Sequence, residues 1–285
     1  MNFQKVSLLP GLHFVATPIG SARDITLRAL DVLASAEVIA AEDTRSLRRL
    51  MEIHGVPLDG RRIVAYHDHS GQGARTKLLS ELADGRSVAY ASEAGMPLIA
   101  DPGYDLARAA AEAGHVVSVA PGASAALAAL TLAGLPTDAF FFAGFLPSAA
   151  SARRTRLEEL RQIPGTLVFY ESPKRVAASL ADMADVLGGD RQAALCRELT
   201  KKFEEVRRET LATLSQQIAD NPVKGEIVVL VDRARSETVS DSDIDSALRE
   251  ALEEHSVKDA ADLVSRAFGL KRRTVYQRAL ALGKA

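Results

Sequence analysis

The chain has 285 residues, with 35 Lys+Arg against 37 Asp+Glu; 47% of its residues are apolar and 25% are charged. That length suggests two domains with a small appendage, and the composition excludes a disordered, collagen-like or coiled-coil chain. A formal net charge of −2 excludes a protein coated in basic residues. The single cysteine, Cys196, excludes an intrachain disulfide and a thiolate zinc cluster and points to a reducing compartment.

Met1–Pro10 has too short an apolar run for a signal peptide, so a cytoplasmic protein is expected. From there, short apolar runs alternate with helical patterns. Strands are predicted at 12–16, 37–40, 62–65, 87–91 and 116–120, and helices at 26–35, 43–53, 74–83, 104–113 and 123–132. Strands separated by helices of about ten residues imply parallel pairing with crossover connections, hence an α/β sheet. Residues 116–137 carry no charge and are long enough for a membrane helix. Pro121-Gly122 interrupts the stretch and Gly134 and Pro136 close it, so it reads as a buried strand, a turn and a buried helix, with no membrane role.

The rhythm changes at Phe140–Pro147, an apolar run followed by Ser-Ala-Ala-Ser, which reads as a strand entering a linker. Beyond it, helices are predicted at 152–162, 173–187 (with Pro173 at its start) and 211–219. Strands are predicted at 166–170, 192–197, 205–209 and 226–232. Strands here often follow one another directly, which implies a mixed sheet. Residues 234–243 are polar and read as a linker. Helices at 244–254, 257–268 and 273–282 then form a helix-turn-helix-like tail, and from Val264 to Ala285 there is no acidic residue and six basic ones. The expected organisation is an N-terminal α/β domain at 1–143, a second α/β domain at 144–235 and a helical unit at 236–285.

In an open α/β sheet, ligands bind beyond the carboxyl ends of the strands. Four loops there are unusual. Thr17–Thr26 is rich in small and turn-forming residues, with Asp24 or Thr26 able to cap the next helix, and it is not the dinucleotide fingerprint. Ser92–Gly103 packs two Pro, two Gly and two acids into twelve residues. Pro121–Ala125 places bare amides at a helix start. In the second domain, Tyr170–Arg175 and the densely charged Arg197–Glu205 follow strands. His67-Asp68-His69 has no third metal ligand nearby and reads as a polar loop, and Cys196 reads as a small core residue rather than a nucleophile.

Nine segments in order resemble the tetrapyrrole methylase superfamily: TPIGSARDIT (17–26), AAEDTR (40–45), HDHS (67–70), SEAGMPLIADPGYDL (92–106), PGASA (121–125), GFLP (144–147), FYESPKR (169–175), RELTKKFEE (197–205) and KGEIVVLV (224–231). Within that superfamily the chain is similar to bacterial enzymes that methylate the ribose 2′-oxygen of a cytidine in the decoding region of 16S ribosomal RNA. The resemblance implies two tandem α/β domains of tetrapyrrole-methylase type, with S-adenosylmethionine in the cleft between them. It also implies a homodimer acting on 16S rRNA or the small ribosomal subunit, with no metal. Carried over by motif, the cofactor-binding residues are Pro18, Ser92, Glu93, Ala94, Gly95, Met96, Pro121, Ser124, Ala125, Tyr170, Lys224, Gly225 and Glu226. The chain departs from the family pattern at Glu93 (usually Asp) and Met96 (usually Thr), and at Ser21 (often Asn) and Ala123 (often Pro).

A ribose 2′-hydroxyl needs a base within hydrogen-bond reach. The candidates are Glu171, Glu198 and Lys201, the last on the expectation that neighbouring cations lower its pKa. RNA requires positive surface, for which the candidates are Arg153, Arg154, Arg156, Lys174, Arg175 and Lys202, with Lys271, Arg272, Arg273 and Tyr276 in the tail. Two other readings remain: a carbon methyltransferase acting on a corrin or porphyrin precursor, and a non-catalytic ribosome-assembly protein.

Overall fold

The structure is a computed structural model that describes residues 2–67, 70, 72–101, 103–234, 241–268 and 270–282. Two compact units divide it, one of residues 1–234 and the other of residues 235–285.

The larger unit holds two five-stranded sheets. The first is built from β1 (Gly11–Val15), β2 (Val38–Ala41), β3 (Ile63–Ala65), β4 (Ser87–Ala91) and β5 (Val116–Ala120), in the order β3-β2-β4-β1-β5. All its pairs are parallel. Its three central strands are buried along their whole length, as near-continuous apolar runs such as VIAA require when helices cover both faces. The helices between them are α1 (Leu27–Ser35), α2 (Thr44–Ile53), α3 (Gln72–Ala83) and α4 (Tyr104–Glu112). Thr26 caps α1 by accepting from the Ala29 N–H at 3.1 Å, and Asp43 caps α2 by accepting from Arg45 and Ser46.

The second sheet is mixed, as expected. It contains β6 (Phe140–Phe145), β7 (Thr166–Glu171), β8 (Gln192–Arg197), β9 (Glu205–Thr210) and β10 (Ile227–Val231), in the order β6-β7-β10-β8-β9. Only β6 and β7 run parallel among these pairs. α6 (Ala150–Leu160), α7 (Val176–Leu187) and α8 (Leu211–Asp220) cover one face and share a core with Leu167, Phe169, Leu195 and Val229.

Register explains where a ligand can sit. In the first sheet Val15 pairs with both Ala91 and Ala120, so the loops after β1, β4 and β5 leave from one edge. In the second, Ile227 pairs with Glu171 and Arg197, so the loops after β7 and β8 and before β10 share another edge. α5 (Ala125–Ala133) joins the two. It follows β5 of the first sheet, yet its Ala126, Ala129, Leu130 and Ala133 share a core with Val168, Ala194, Cys196, Val228 and Leu230 of the second. The uncharged stretch is thus a strand, a turn and this bridging helix. Among the described residues no helix is long and apolar enough to cross a membrane.

One helix start differs from the sequence expectation. Pro173 lies in a turn and α7 begins at Val176, because Glu171 and Ser172 first bind the turn back on itself. The smaller unit contains α9 (Asp241–Glu254), α10 (Val257–Ala267) and α11 (Arg272–Leu282) around Leu248, Ala260, Ala261, Val264, Val275 and Ala279. α9 begins inside the stretch read as a linker.

Candidate active site

The loop edges of the two sheets enclose a cleft of about 420 Å³, within the usual range for a small-molecule site. It is built from the backbone outward. Thr17 and Gly95 form an isolated antiparallel bridge, each N–H donating to the other's carbonyl at 3.0 Å, which fastens the loop after β1 to the loop after β4. The Thr17 hydroxyl donates to the Ser92 and Glu93 carbonyls at 3.2 Å, and the Ser92 hydroxyl donates to the Gly95 carbonyl at 2.6 Å. Further along, Leu98 and Ala100 adopt positive φ (69° and 58°), a strain that proteins concentrate at binding sites.

Across the cleft, the Tyr170 hydroxyl accepts from the Ala126 N–H at 3.2 Å, joining β7 to the first turn of α5. Burial raises the Tyr170 pKa, so its hydroxyl stays protonated and keeps its own hydrogen to donate. Two glycines of the site loops permit close approaches. A Cβ on Gly20 would lie 2.6 Å from Thr200 Oγ1 and Lys201 Cγ, and one on Gly225 (φ 93°) would lie 2.4 Å from Glu198 Oε1.

Of the cofactor candidates, Glu93, Ala94, Gly95, Met96, Ser124, Ala125, Tyr170, Gly225 and Glu226 line this cleft. Ser92 is buried behind it and shapes its loop. Pro18 faces a second groove on the other side of its loop. Pro121 and Lys224 are exposed and outside the lining. Sequence reasoning missed the apolar walls, among them Ile19, Ile99, Phe145, Leu199 and Val228, whose apolar character marks them for the core as readily as for a ligand.

The three base candidates have other duties. Glu171 lines the cleft at 3% exposure, but its carboxylate accepts from the Ser172 N–H at 2.8 Å and the Ser179 hydroxyl at 2.6 Å, with Arg175 at 3.4 Å. Glu198 accepts from the Glu226 N–H at 3.0 Å and from Lys201 Nζ at 3.1 Å; these bonds hold its carboxyl below the usual range. Lys201 corrects the expectation of a lowered pKa. Burial works against its charge, but Glu226 at 2.9 Å and Glu198 outweigh it and raise the pKa. Arg197, the cation expected to repel it, is turned to Glu205 at 2.5 Å. Lys201 is therefore held as an ammonium between two carboxylates. Burial also pushes the Cys196 thiol to about 11, which fits its reading as a core residue.

Several RNA candidates are likewise occupied. Arg153 is buried and paired with Asp182 at 2.6 Å, so its expected contact with RNA gives way to a structural one. Arg154 pairs with Asp182 and Asp185, and Arg156 with Glu159. Arg175 donates to the Leu146 carbonyl. Lys174 and Lys202 are exposed, as are Lys271, Arg272, Arg273 and Tyr276 in the smaller unit, where Arg272 pairs with Asp262. Asp68 and His69 of the HDHS segment lie outside the described residues.

The chain is similar to known proteins over most of its length. Residues 11–215 match the family model of tetrapyrrole (corrin/porphyrin) methylases, and residues 238–283 match the RsmI C-terminal HTH domain. The chain is 48% identical over 277 residues to a protein of Mesorhizobium japonicum named ribosomal RNA small subunit methyltransferase I, covering 96% of this chain and 93% of that one. A protein of the same name from Pseudomonas aeruginosa is 44% identical, covering 94% and 96%. Among solved structures, cobalt precorrin-4 methyltransferase superposes with a TM-score of 0.60 at 15% identity, covering 78% of this chain and 94% of that one. Diphthine synthase does so with a TM-score of 0.58 at 19% identity, covering 78% and 89%. At those identities the likeness is one of fold.

Proposed function

The chain belongs to the tetrapyrrole methylase family and, within it, to the ribosomal RNA small subunit methyltransferase I group, and on that premise we propose that it methylates small-subunit ribosomal RNA from S-adenosylmethionine, at the ribose 2′-oxygen of a cytidine in the decoding region of 16S rRNA. The observation that carries the reading is the cleft at the paired loop edges. Its size suits the cofactor. Its apolar residues Ile19, Ile99, Leu199 and Val228 suit an adenine ring, and Ser124, Glu226 and the backbone of Glu93–Met96 offer polar groups for the ribose and amino-acid ends.

S-adenosylmethionine supplies a methyl group on a sulfonium, whose sulfur would leave as a neutral thioether. What the chain supplies is alignment and the handling of one proton. The Thr17–Gly95 bridge and the Tyr170–Ala126 bond fix the two sides of the cleft, and such alignment is worth on the order of 7–11 kcal/mol in a two-reactant step. Lys201 holds Glu198 and Glu226 in place. With Lys201 charged and Glu171 and Glu198 engaged, the proton acceptor that fits best is Glu93. It is exposed and lines both this cleft and the groove behind Pro18.

A homodimer is part of the proposal. β5 and β6 are edge strands of their sheets and expose Val116, Val117, Val119, Phe140 and Phe141, an apolar surface suited to a second copy. The basic helical tail is proposed to hold RNA, in the cytoplasm where the subunit is found. The deciding experiment is transfer of labelled methyl from S-adenosylmethionine to small subunits that lack the modification. Label on one cytidine 2′-oxygen after nuclease digestion is the expected result. Cofactor binding without transfer would turn attention to a tetrapyrrole, and no cofactor binding would favour a non-catalytic role.

A further inference from the structure

Behind the loop Thr17–Ala22 lies a second groove of about 430 Å³, whose other wall is α2. His54, at the end of α2, is 2.8 Å through Nε2 from the Ala22 carbonyl and ties the two walls together. Glu93 is the residue that lines both this groove and the cofactor cleft, and its N–H donates to Glu42 at 3.2 Å. The two spaces are thus the two sides of one wall.

α2 breaks local rules that its fold does not require. Its ten residues include Arg45, Arg48 and Arg49, and Arg45 stands in the first turn, where the helix dipole disfavours a cation. Arg45 and Arg49 are four apart, so they face the same way and repel. Arg45 and Arg48 have no carboxylate within ion-pair distance among the described residues; Arg49 has Glu52 at 3.8 Å, both side chains well exposed. Arg45 and Arg49 line the groove, and Arg23, exposed, lies one residue beyond Ala22 at its edge. The facing carboxylates are Glu93 and Glu42, at the end that meets the cofactor cleft. Exposed cations on one wall, with only the long Arg49–Glu52 pair and the helix-capping Asp43 near them, and carboxylates at the reacting end suit a polyanion whose reacting group is a neutral hydroxyl.

We propose that this groove receives the substrate RNA strand, with Arg45 and Arg49 contacting its backbone phosphates and the target ribose carried to the shared wall at Glu93. The inference rests on the reading of the protein as an rRNA methyltransferase.

The test compares wild type with R45A/R49A and R45K/R49K in the full-length protein. Readouts are binding to naked 16S rRNA and to small subunits across a salt series, methyl transfer, and S-adenosylmethionine binding. Two lost phosphate contacts lower the slope of log affinity against log salt by about 2 and weaken binding about 30-fold near 0.15 M salt. Cofactor affinity stays unchanged, which also reports an intact fold, and the lysine pair restores most of the binding, since a point charge still meets a phosphate. An unchanged salt slope in an active wild-type background overturns this inference alone. Loss confined to assembled subunits, with naked RNA unaffected, overturns it in favour of a protein contact. A wild type that neither binds nor methylates either RNA form overturns both this inference and the reading beneath it.

Discussion

Two helices of this protein carry three arginines each within five residues, and the surroundings give them opposite work. On α6, Arg153, Arg154 and Arg156 each meet a carboxylate: Asp182, Asp182 with Asp185, and Glu159. On α2, Arg45 and Arg48 meet none, and Arg49 has only the long surface contact to Glu52. Sequence alone put the α6 arginines among the RNA candidates and left those of α2 out. The difference teaches that the count of basic residues says little about available charge. For Arg153 and Arg154 the partners that decide it come from 28 to 31 residues away, in α7.

The largest expected effect tests the paired side. Asp182→Ala would leave Arg153 buried without its carboxylate, a change that typically destabilises by about 3–5 kcal/mol. Urea unfolding should show a loss of that order. The salt dependence of RNA binding by the remaining folded protein should match wild type. A reduced salt slope would break the comparison, because Arg153 and its neighbours would then be serving RNA after all.

A second test concerns the paired cluster inside the site. Gly225→Ala places a Cβ against Glu198 at a positive φ, at a cost of about 1–3 kcal/mol. It should weaken S-adenosylmethionine binding while leaving RNA affinity intact. Weakened RNA binding with normal cofactor binding would show that the charged loop 198–204 belongs to the RNA side.

The third test separates a fixed cation from a base. Lys201→Arg preserves the charge between Glu198 and Glu226 and should retain most activity, whereas a lysine that accepts the substrate proton would lose it. The pH dependence follows from the same cluster. The depressed Glu198 contributes stability that is present above the ordinary glutamate value of 4.5 and lost as pH falls through its lower folded value. The raised Lys201 contributes stability that is present below the ordinary lysine value of 10.5 and lost as pH rises through its higher folded value. The stability difference between wild type and Lys201→Met should therefore be flat from about pH 6 to 9 and shrink toward both extremes. A step near neutral pH would mean that Lys201 titrates there.

The order of strands and helices was legible because it rests on local periodicity, and the elements fall within a few residues of expectation. The loops that line the cleft were legible as unusual too, since their glycines, prolines and acids serve no periodic pattern. Their pairing was not, because register between β1, β4 and β5 sets which loops meet. The apolar walls Ile19 and Leu199 looked like core, and they also belong to the core that α5 shares with the second sheet. Lys201 was misjudged because Arg197 and Lys202 are near in sequence, while the groups that set its charge include Glu226, 25 residues on. Pro173 was taken for a helix start, but a Pro at N1 and a Pro in a preceding turn read alike without the hydrogen bonds that follow.

The smallest expected effect sharpens the comparison most. Arg156 and Glu159 are exposed partners three apart on α6, at 2.7 Å. Such pairs contribute about 0–1 kcal/mol. Arg156→Ala should therefore leave the urea midpoint almost unmoved, and its carboxylate partner already offsets the charge that RNA would meet. The salt slope for 16S rRNA should change by well under the single unit expected of one lost phosphate contact. Arg45→Ala, at an exposed arginine with no carboxylate within ion-pair distance among the described residues, should lower that slope by about one. Measured side by side, the two variants remove the same charge, one from the groove wall on α2 without an ion-pair partner and one from α6 with a carboxylate beside it. Equal slopes would show that pairing in the free protein does not govern what RNA can use. Unequal slopes would show that the unpaired helix is the one that binds.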